Sequence, residues 1–258
     1  MTFRRRFAAV ACAALLASAL AASHAVRAED VTPAQRGAIE KIVHDYLVGH
    51  PEVLQEAMDA LQKQQAAAEA EKHKAVIKEH GDALFSSPDQ VTLGNPKGNV
   101  TFVEFFDYNC GYCKHAMSDM LALMKDDSNL KVVLKEFPVL GPGSVEAAKV
   151  AVAVRMQDPD GKKYLAFHVK LLGGRNPADG ARALAVAKEV GVDMDRLGKD
   201  MKSPEVEKTL QQDFKLAELL GLNGTPSYVI GDDVVVGAIG LEGLRAKVNT
   251  ARCGKATC

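Results

Sequence analysis

Apolar positions change period several times along the chain, and each change marks a new part. Phe7 to Ala22 is one apolar, alanine-rich stretch. After Thr32-Pro33, a hydroxyl cap followed by proline that suits a helix start, Ile39, Ile42, Val43, Tyr46 and Leu47 recur at helical spacing. Gly49-His50 interrupts. Pro51 then opens a second helix through Val53, Leu54, Met58 and Leu61, which continues into the polar run Gln62–Lys72 and stops near Gly81. Leu47, Leu54, Leu61, Ala68 and Ala75 fall seven residues apart, although Pro51 can break that register. From 62 to 75 large apolar residues are almost absent. A helix polar nearly all round either bridges packed parts or belongs to an oligomer. The stripe at 39–61 is too small to fold alone, so two readings compete: an oligomerisation stalk, or a segment folded back on the rest of the chain.

Beyond Ser86-Ser-Pro-Asp89 the pattern turns to short strands. Val91–Leu93 is a short one, and Gly94–Asn99 is turn chemistry. Val100–Phe106 is nearly continuous in apolar residues, as a strand buried on both faces is. Glu104 breaks the run, and a lone carboxylate there is costly without work or a partner. A helical pattern follows (Ala116, Met120, Leu121, Met124), then a second strand over Leu130–Phe137. That helix makes the crossover, so the two strands should pair in parallel. Ala147–Met156, Tyr164–Leu172, Ala181–Val190, Met194–Met201 and Val206–Leu220 all read as helices. They are too many for one crossover and form an insertion over about 143–221. Thr225–Ile230 and Val234–Val236 read as a β-hairpin around Gly231-Asp-Asp, and Leu241–Val248 as a closing helix. The fold class is α/β over 86–258, preceded by an α-helical region over 29–85.

Charge and composition place the protein. The chain of 258 residues has a formal net charge of −1, with 32 basic and 33 acidic side chains. Residues 1–28 hold Arg4, Arg5, Arg6 and Arg27 and no acid, so 28 basic residues face 33 acids in the remainder. That balance, with no Trp and few aromatics, argues against nucleic acid as a partner. Arg4-Arg5-Arg6, the apolar stretch and the small-residue sites Ser23-His-Ala25 and Val26-Arg-Ala28 together read as a secretory signal cleaved within or after residues 1–28, and hence as a periplasmic protein. Cys12 leaves with it.

Four cysteines remain. Cys110 and Cys113 lie two residues apart between the strand and the helix. A helix N-terminus carries partial positive charge and free N–H groups, which stabilise a thiolate. The pair therefore reads as a redox dithiol, with Cys110 the nucleophile and Cys113 close enough to resolve. Cys253 and Cys258 read as a disulfide closing a short C-terminal loop, with an auxiliary redox or metal-binding pair as the rival. A four-thiolate zinc site lacks the knuckle composition. His44, His50, His73, His80 and His168 show no ligand spacing with the cysteines and read as surface or core residues. Lys114 and His115 read as solvated.

Three separated motifs occur in order: Glu104-Phe-Phe-Asp-Tyr-Asn-Cys110-Gly-Tyr-Cys113-Lys, Glu136-Phe-Pro-Val-Leu-Gly141 and Gly224-Thr-Pro226. Over about residues 90–250 the chain resembles the DsbA family of thioredoxin-fold oxidoreductases. His50-Pro-Glu-Val-Leu-Gln-Glu-Ala-Met58 is similar to the N-terminal region of the ScsC-like and Com1-like subgroup, which includes homotrimers with isomerase activity held together through that region. The resemblance implies a thioredoxin fold with a helical insertion. It implies a protein disulfide oxidoreductase or isomerase that needs neither cofactor nor metal, and a homotrimer through residues 29–85. The implied partners are unfolded or misdisulfided exported proteins and a membrane redox protein that recycles the dithiol. An X-Pro bond is trans by default, but the resemblance implies a cis Thr225–Pro226 bond facing the dithiol. Thr225 would then offer its backbone to an extended substrate strand and place its hydroxyl near the Cys110 sulfur. Gly111 and Tyr112 occupy the positions that tune the redox potential, without the cation a histidine there would supply. Glu104 is expected beneath the dithiol, moving the Cys113 proton; the alternative is an edge carboxylate reaching solvent. Two further readings stay open: a monomeric oxidase, and a copper-binding protein using the same thiols as soft ligands.

Overall fold

The computed structural model describes residues 31–258. The signal sequence expected over 1–28, and Cys12 within it, lie outside the described residues. The chain divides into two units, one ending at Gln62 and the other running from Lys63 to Cys258.

In the first unit, α1 (Pro33–Gly49) begins at an N-cap formed by Thr32, whose hydroxyl accepts the Gln35 N–H while the Gln35 side chain returns to the Thr32 N–H. This reciprocal pairing satisfies two end donors at once. Lys41 and Asp45 pair one turn apart. No residue of α1 is buried. Ile42, Val48, Met58 and Leu61 stay more than half exposed. The second helix, α2 (Pro51–Phe85), starts in this unit.

The second unit contains the rest of α2. The helix does not stop near Gly81 as the sequence suggests. His80 leaves helical geometry (φ −111°, ψ 18°) and the helix resumes to Phe85. The reason is burial: Ile77 and Leu84 pack with Phe105, Val133 and Leu216 in the core of this unit.

The sheet comprises β1 (Val91–Gly94), β2 (Val100–Phe106), β3 (Leu130–Glu136), β4 (Ser227–Ile230) and β5 (Asp233–Val236), in the order β1-β3-β2-β4-β5. β2 and β3 pair in parallel from Val100↔Leu130 to Phe106↔Glu136, joined by α3 (Gly111–Asp126). All other pairs are antiparallel. The hairpin strand begins at Ser227 rather than Thr225, which leaves Thr225-Pro226 free in the loop. Gly231 makes the tight β4–β5 turn at φ 61°, and a Cβ there would also come within 3.0 Å of Ala251.

The insertion supplies five helices: α4 (Pro142–Arg155), α5 (Lys162–Leu172), α6 (Gly180–Glu189), α7 (Met194–Asp200) and α8 (Pro204–Leu219); α9 (Gly240–Cys253) closes the chain. On one face of the sheet Phe102, Phe106, Leu134 and Tyr228 pack with α3, the insertion helices α4–α7 and α9. On the other, Val103, Phe105 and Val133 pack with α8 and the end of α2. Among the described residues no helix is long and apolar enough to cross a membrane.

The sequence reading passed over a buried ion pair. Lys135 on β3 and Asp213 on α8 are fully buried, with Nζ 3.1 Å from Oδ1. Gln90 donates to the same oxygen at 2.7 Å. Burial pushes the Asp213 carboxyl up to about 6, against the pull of Lys135. Lys135→Met would strand a buried carboxylate, a loss of about 3–5 kcal/mol to be read from chemical denaturation. The double substitution Lys135→Met with Asp213→Leu should recover most of it. A single-variant loss below about 1 kcal/mol would show that the pair is not what joins α8 to the sheet.

Candidate active site

β2 ends at Phe106, buried on both faces, and the chain turns through Asp107-Tyr108-Asn109 into α3. Cys110 is the N-cap of that helix (φ −76°, ψ 117°), and its sulfur accepts the Cys113 N–H at 3.3 Å. The same sulfur donates its proton to the Thr225 carbonyl at 3.1 Å. Cys110 is 5% exposed and Cys113 fully buried, both as free thiols. The Thr225–Pro226 bond is cis. The Gly237 N–H donates to the Pro226 carbonyl, and the Ser227 hydroxyl to that of Gly224. The Thr225 group hydrogen-bonded to the sulfur is its backbone carbonyl.

Beneath the dithiol Glu104 faces Tyr228 across β2 and β4. Glu104 is 2% exposed and Tyr228 fully buried, so the solvent-reaching alternative for Glu104 falls. Among the described residues one Glu104 carboxylate oxygen and the Tyr228 hydroxyl have no partner, and no cation pairs with the carboxylate: Lys135, one residue past the Glu104 partner on β3, is committed to Asp213. Burial, and to a lesser degree the nearby Asp119 charge, push the Glu104 carboxyl up to about 8. Burial also holds the Cys113 thiol far above its ordinary range; a hydrogen bond from the Asp107 backbone opposes this, while Cys110 and Glu104 add to it. Cys113 is thus strongly held as a neutral thiol, with a buried acid that changes charge near neutrality below it.

Several residues around the site escaped the sequence reading. The Asp107 carboxylate accepts from the Asn109 N–H (2.7 Å), the Leu140 N–H (2.9 Å) and the Ser144 hydroxyl (2.8 Å). Three donors make burying that charge tolerable, and they fix the turn before Cys110. Lys114 is not simply solvated: it is half-buried and donates to the Gly174 carbonyl at 2.7 Å. Behind the turn Glu136 accepts from the hydroxyls of Tyr164 (2.7 Å) and Tyr108 (3.4 Å), and burial raises its carboxyl well above the usual range. His168 packs among Phe106, Tyr108 and Tyr164, and burial lowers it to about 3, so it is a neutral core residue. The one available signal was the polar Asp-Tyr-Asn turn against an apolar strand.

Gly111, Tyr112 and His115 lie exposed on the first turns of α3. Cys253 and Cys258 form a disulfide at the exposed end of α9. Arg252 joins that end to Asn99 and Asp127, beside the start of β2, so the disulfide lies at the opposite strand end from Cys110. Among the described residues no group of three or more His, Cys, Asp or Glu side chains gathers as a metal-binding set.

The DSBA-like thioredoxin domain matches residues 101–249, and the copper resistance protein ScsC N-terminal domain matches residues 35–68. A solved thioredoxin-like oxidoreductase from Silicibacter pomeroyi is 45% identical, with a TM-score of 0.63, over 66% of this chain and 96% of that one. The thiol-disulfide exchange protein alpha-DsbA2 from Wolbachia pipientis is 33% identical, with a TM-score of 0.65, over 70% and 97%. Proteus mirabilis ScsC in a transitional conformation is 29% identical, with a TM-score of 0.62, over 86% and 96%. The chain spans about a quarter of the length of the curated Na(+)/H(+) antiporters it matches, such as one from Salinispora arenicola that is 26% identical over 170 residues. A paired-cysteine helix start facing a cis-proline loop, in a chain more than half of which matches one domain model, leaves a single assignment: the protein belongs to the DSBA-like thioredoxin domain family.

Proposed function

We propose that the protein is a periplasmic thiol–disulfide oxidoreductase that forms or rearranges disulfides in exported proteins, with Cys110 the exchanging sulfur and Cys113 the resolving one. The observation that carries this is the asymmetry of the two thiols. The Cys110 sulfur sits at a helix N-cap under the Thr225 carbonyl, and Cys113 is sealed behind it.

In the oxidising direction a client thiolate attacks the Cys110 sulfur of the Cys110–Cys113 disulfide. That bond breaks, a mixed disulfide forms, and Cys113 leaves with the electron pair and takes up a proton. A second client thiolate then attacks the client sulfur of the mixed disulfide. The client disulfide forms and Cys110 leaves as a thiolate at the helix N-terminus, where positive partial charge favours it. Two electrons now rest on the dithiol, and a membrane redox partner removes them. In isomerisation the Cys110 thiolate attacks a client disulfide, and another client thiolate displaces it to leave a different pairing with no net redox change.

Glu104 serves the proton step. A buried thiol far above its ordinary range must lose its proton before it can attack the mixed disulfide, and Glu104 is the buried acid that changes charge near neutrality beside it. The exposed apolar residues of α1 and early α2 support an assembly of three copies through residues 29–85. Such an assembly presents several dithiols to one client and shields them from the recycling partner, which favours isomerisation.

Cys110→Ser should reduce insulin reduction and the refolding of scrambled ribonuclease to background, while Cys113→Ser should accumulate mixed disulfides with client protein. Absence of turnover by the wild type in both assays, with stoichiometric Cu(I) binding, would favour the copper reading instead.

The Glu104 step has a pH signature. As pH rises through about 8 the carboxylate fraction grows, so resolution of the mixed disulfide should accelerate and then level off. Glu104→Gln should abolish that inflection. The folded carboxyl lies above its ordinary 4.5, so the stability it contributes is fully present below that value and is lost as pH rises through about 8. Glu104→Gln escapes the loss. Its stability relative to wild type should rise across this window by up to about 1.4 kcal/mol per pH unit, and a flat difference would remove Glu104 from the mechanism.

Light scattering of the chain lacking residues 1–28 should give a trimer. Ile42→Glu with Leu54→Glu should give a monomer that loses isomerase activity but keeps oxidase activity. A monomeric wild type would overturn the assembly.

A further inference from the structure

The loop between α5 and α6, residues 173–179, is fastened to the active-site helix by side chains that bracket the two cysteines. Immediately before Cys110, the Asn109 amide pairs with both backbone groups of Ala178: Nδ2 donates to the Ala178 carbonyl, and the Ala178 N–H donates to Oδ1, each at 2.8 Å. Nδ2 also donates to the Ser144 hydroxyl at 2.8 Å, and that hydroxyl in turn donates to Asp107. Immediately after Cys113, Lys114 donates to the Gly174 carbonyl at 2.7 Å. Met117, one turn further along α3, lies 3.6 Å from where a Cβ on Gly173 would stand. The loop is thus pinned at both ends to residues adjoining the dithiol. Arg175, Asn176 and Pro177 stay exposed between the pins.

The acids near that loop each hold a donor, and one cation among the described residues does not hold an acceptor. Asp179 caps α6 by accepting the Arg182 N–H at 2.8 Å, Glu146 accepts the Gly180 N–H at 3.1 Å, and Asp107 is buried with its three donors. Arg182 lies 3.8 Å from Glu189, which also pairs with Lys170. Among the described residues Arg175 has no ion pair and no side-chain hydrogen bond, whereas Lys114 is committed to the Gly174 carbonyl. The loop therefore offers an uncommitted guanidinium on a rigid support beside the cysteines.

We infer that residues 173–179 are a wall of the client site and that Arg175 makes the protein prefer client segments carrying a carboxylate next to the reacting cysteine. The inference rests on the thiol-exchange reading above and names the client chemistry that this reading leaves open. A guanidinium suits the task because its planar fork matches a carboxylate. At an exposed rim its effect falls mainly on association and weakens as salt screens it.

The test uses three short peptides of one scaffold, each with the same disulfide and with Glu, Gln or Lys beside the attacked cysteine. Reduction by the dithiol form of the full chain lacking residues 1–28 is followed as kcat/KM, with dithiothreitol restoring the dithiol after each peptide disulfide is reduced and the uncatalysed rate subtracted. The expected order is Glu over Gln over Lys, about threefold per step at low salt, with the spread shrinking in high salt. Arg175→Glu inverts the order. Asn109→Ala, which releases the Ala178 pin without altering any charge, narrows the Glu-to-Lys ratio while Arg175 is still present. Comparing ratios within each variant removes any general change in activity. No turnover of the Gln peptide by the wild type would count against thiol exchange itself. Turnover with no charge order, or with an order that Arg175→Glu leaves in place, would overturn the role of Arg175 alone.

Discussion

The site depends on one constraint: two sulfurs joined by a single short turn of helix must sit in opposite environments. Cys110 occupies the N-cap, where its sulfur meets the Cys113 N–H on one side and the Thr225 carbonyl on the other. Cys113 is one turn in and wholly buried. Helix geometry alone produces this difference, because an N-cap residue stands outside the first turn while the residue three positions on faces inward. The strand before the helix must then end at one particular depth. β2 does so because six of its seven residues are buried and its register with β3 and β4 is fixed by both neighbours.

That same depth leaves Glu104 beneath the buried sulfur without a cation. A carboxylate so placed costs stability whenever it is charged, and the fold holds two other buried acids under different terms. Asp213 has Lys135 and Gln90, and Glu136 has two tyrosine hydroxyls. Asp213 also keeps one oxygen unpartnered among the described residues, but a lysine and a glutamine hold its other oxygen, whereas Glu104 has no ion pair and stands near the Cys113 thiol. Under the proposed function that contrast supports a role for Glu104 in moving the Cys113 proton.

Much of this was legible in the sequence. β2 and β3 were readable because a continuous apolar run admits few structures, and the hairpin because Gly231-Asp232 stands between two β-branched runs. Most insertion-helix bounds fell within one or two residues, but α4 begins five residues before Ala147 and α9 ends five after Val248. The misses share a physical cause. Lys135 drew no reading of its own within the strand, since periodicity says which face a side chain takes but not that a charge on a buried face has found a partner 78 positions away. The Asp107-Tyr108-Asn109 turn looked like ordinary loop chemistry because its partners, Leu140, Ser144 and Ala178, lie in segments that only the fold brings near. The helix passed Gly81 because Leu84 gains a core position that outweighs the low helix propensity of glycine.

How electrons move through the dithiol is then a question about α1 and the first half of α2, not about the dithiol. Nothing in the exchange steps distinguishes oxidation from isomerisation, because the same Cys110 sulfur is attacked in one and attacks in the other. What distinguishes them is whether a recycling partner reaches the pair. α1 has no buried residue although it carries Ile39, Ile42, Val43 and Tyr46 along its length, and scattered exposure of single apolar residues does not make such a row. A helix of this composition, capped by Thr32 and Gln35, presents an apolar row suited to association. In the proposed assembly, covering it with further copies of the same helix would join several dithiols in one particle, whereas leaving it uncovered would give a single dithiol open to a membrane partner. On that reading the direction of the chemistry rests on the association equilibrium of residues 29–85.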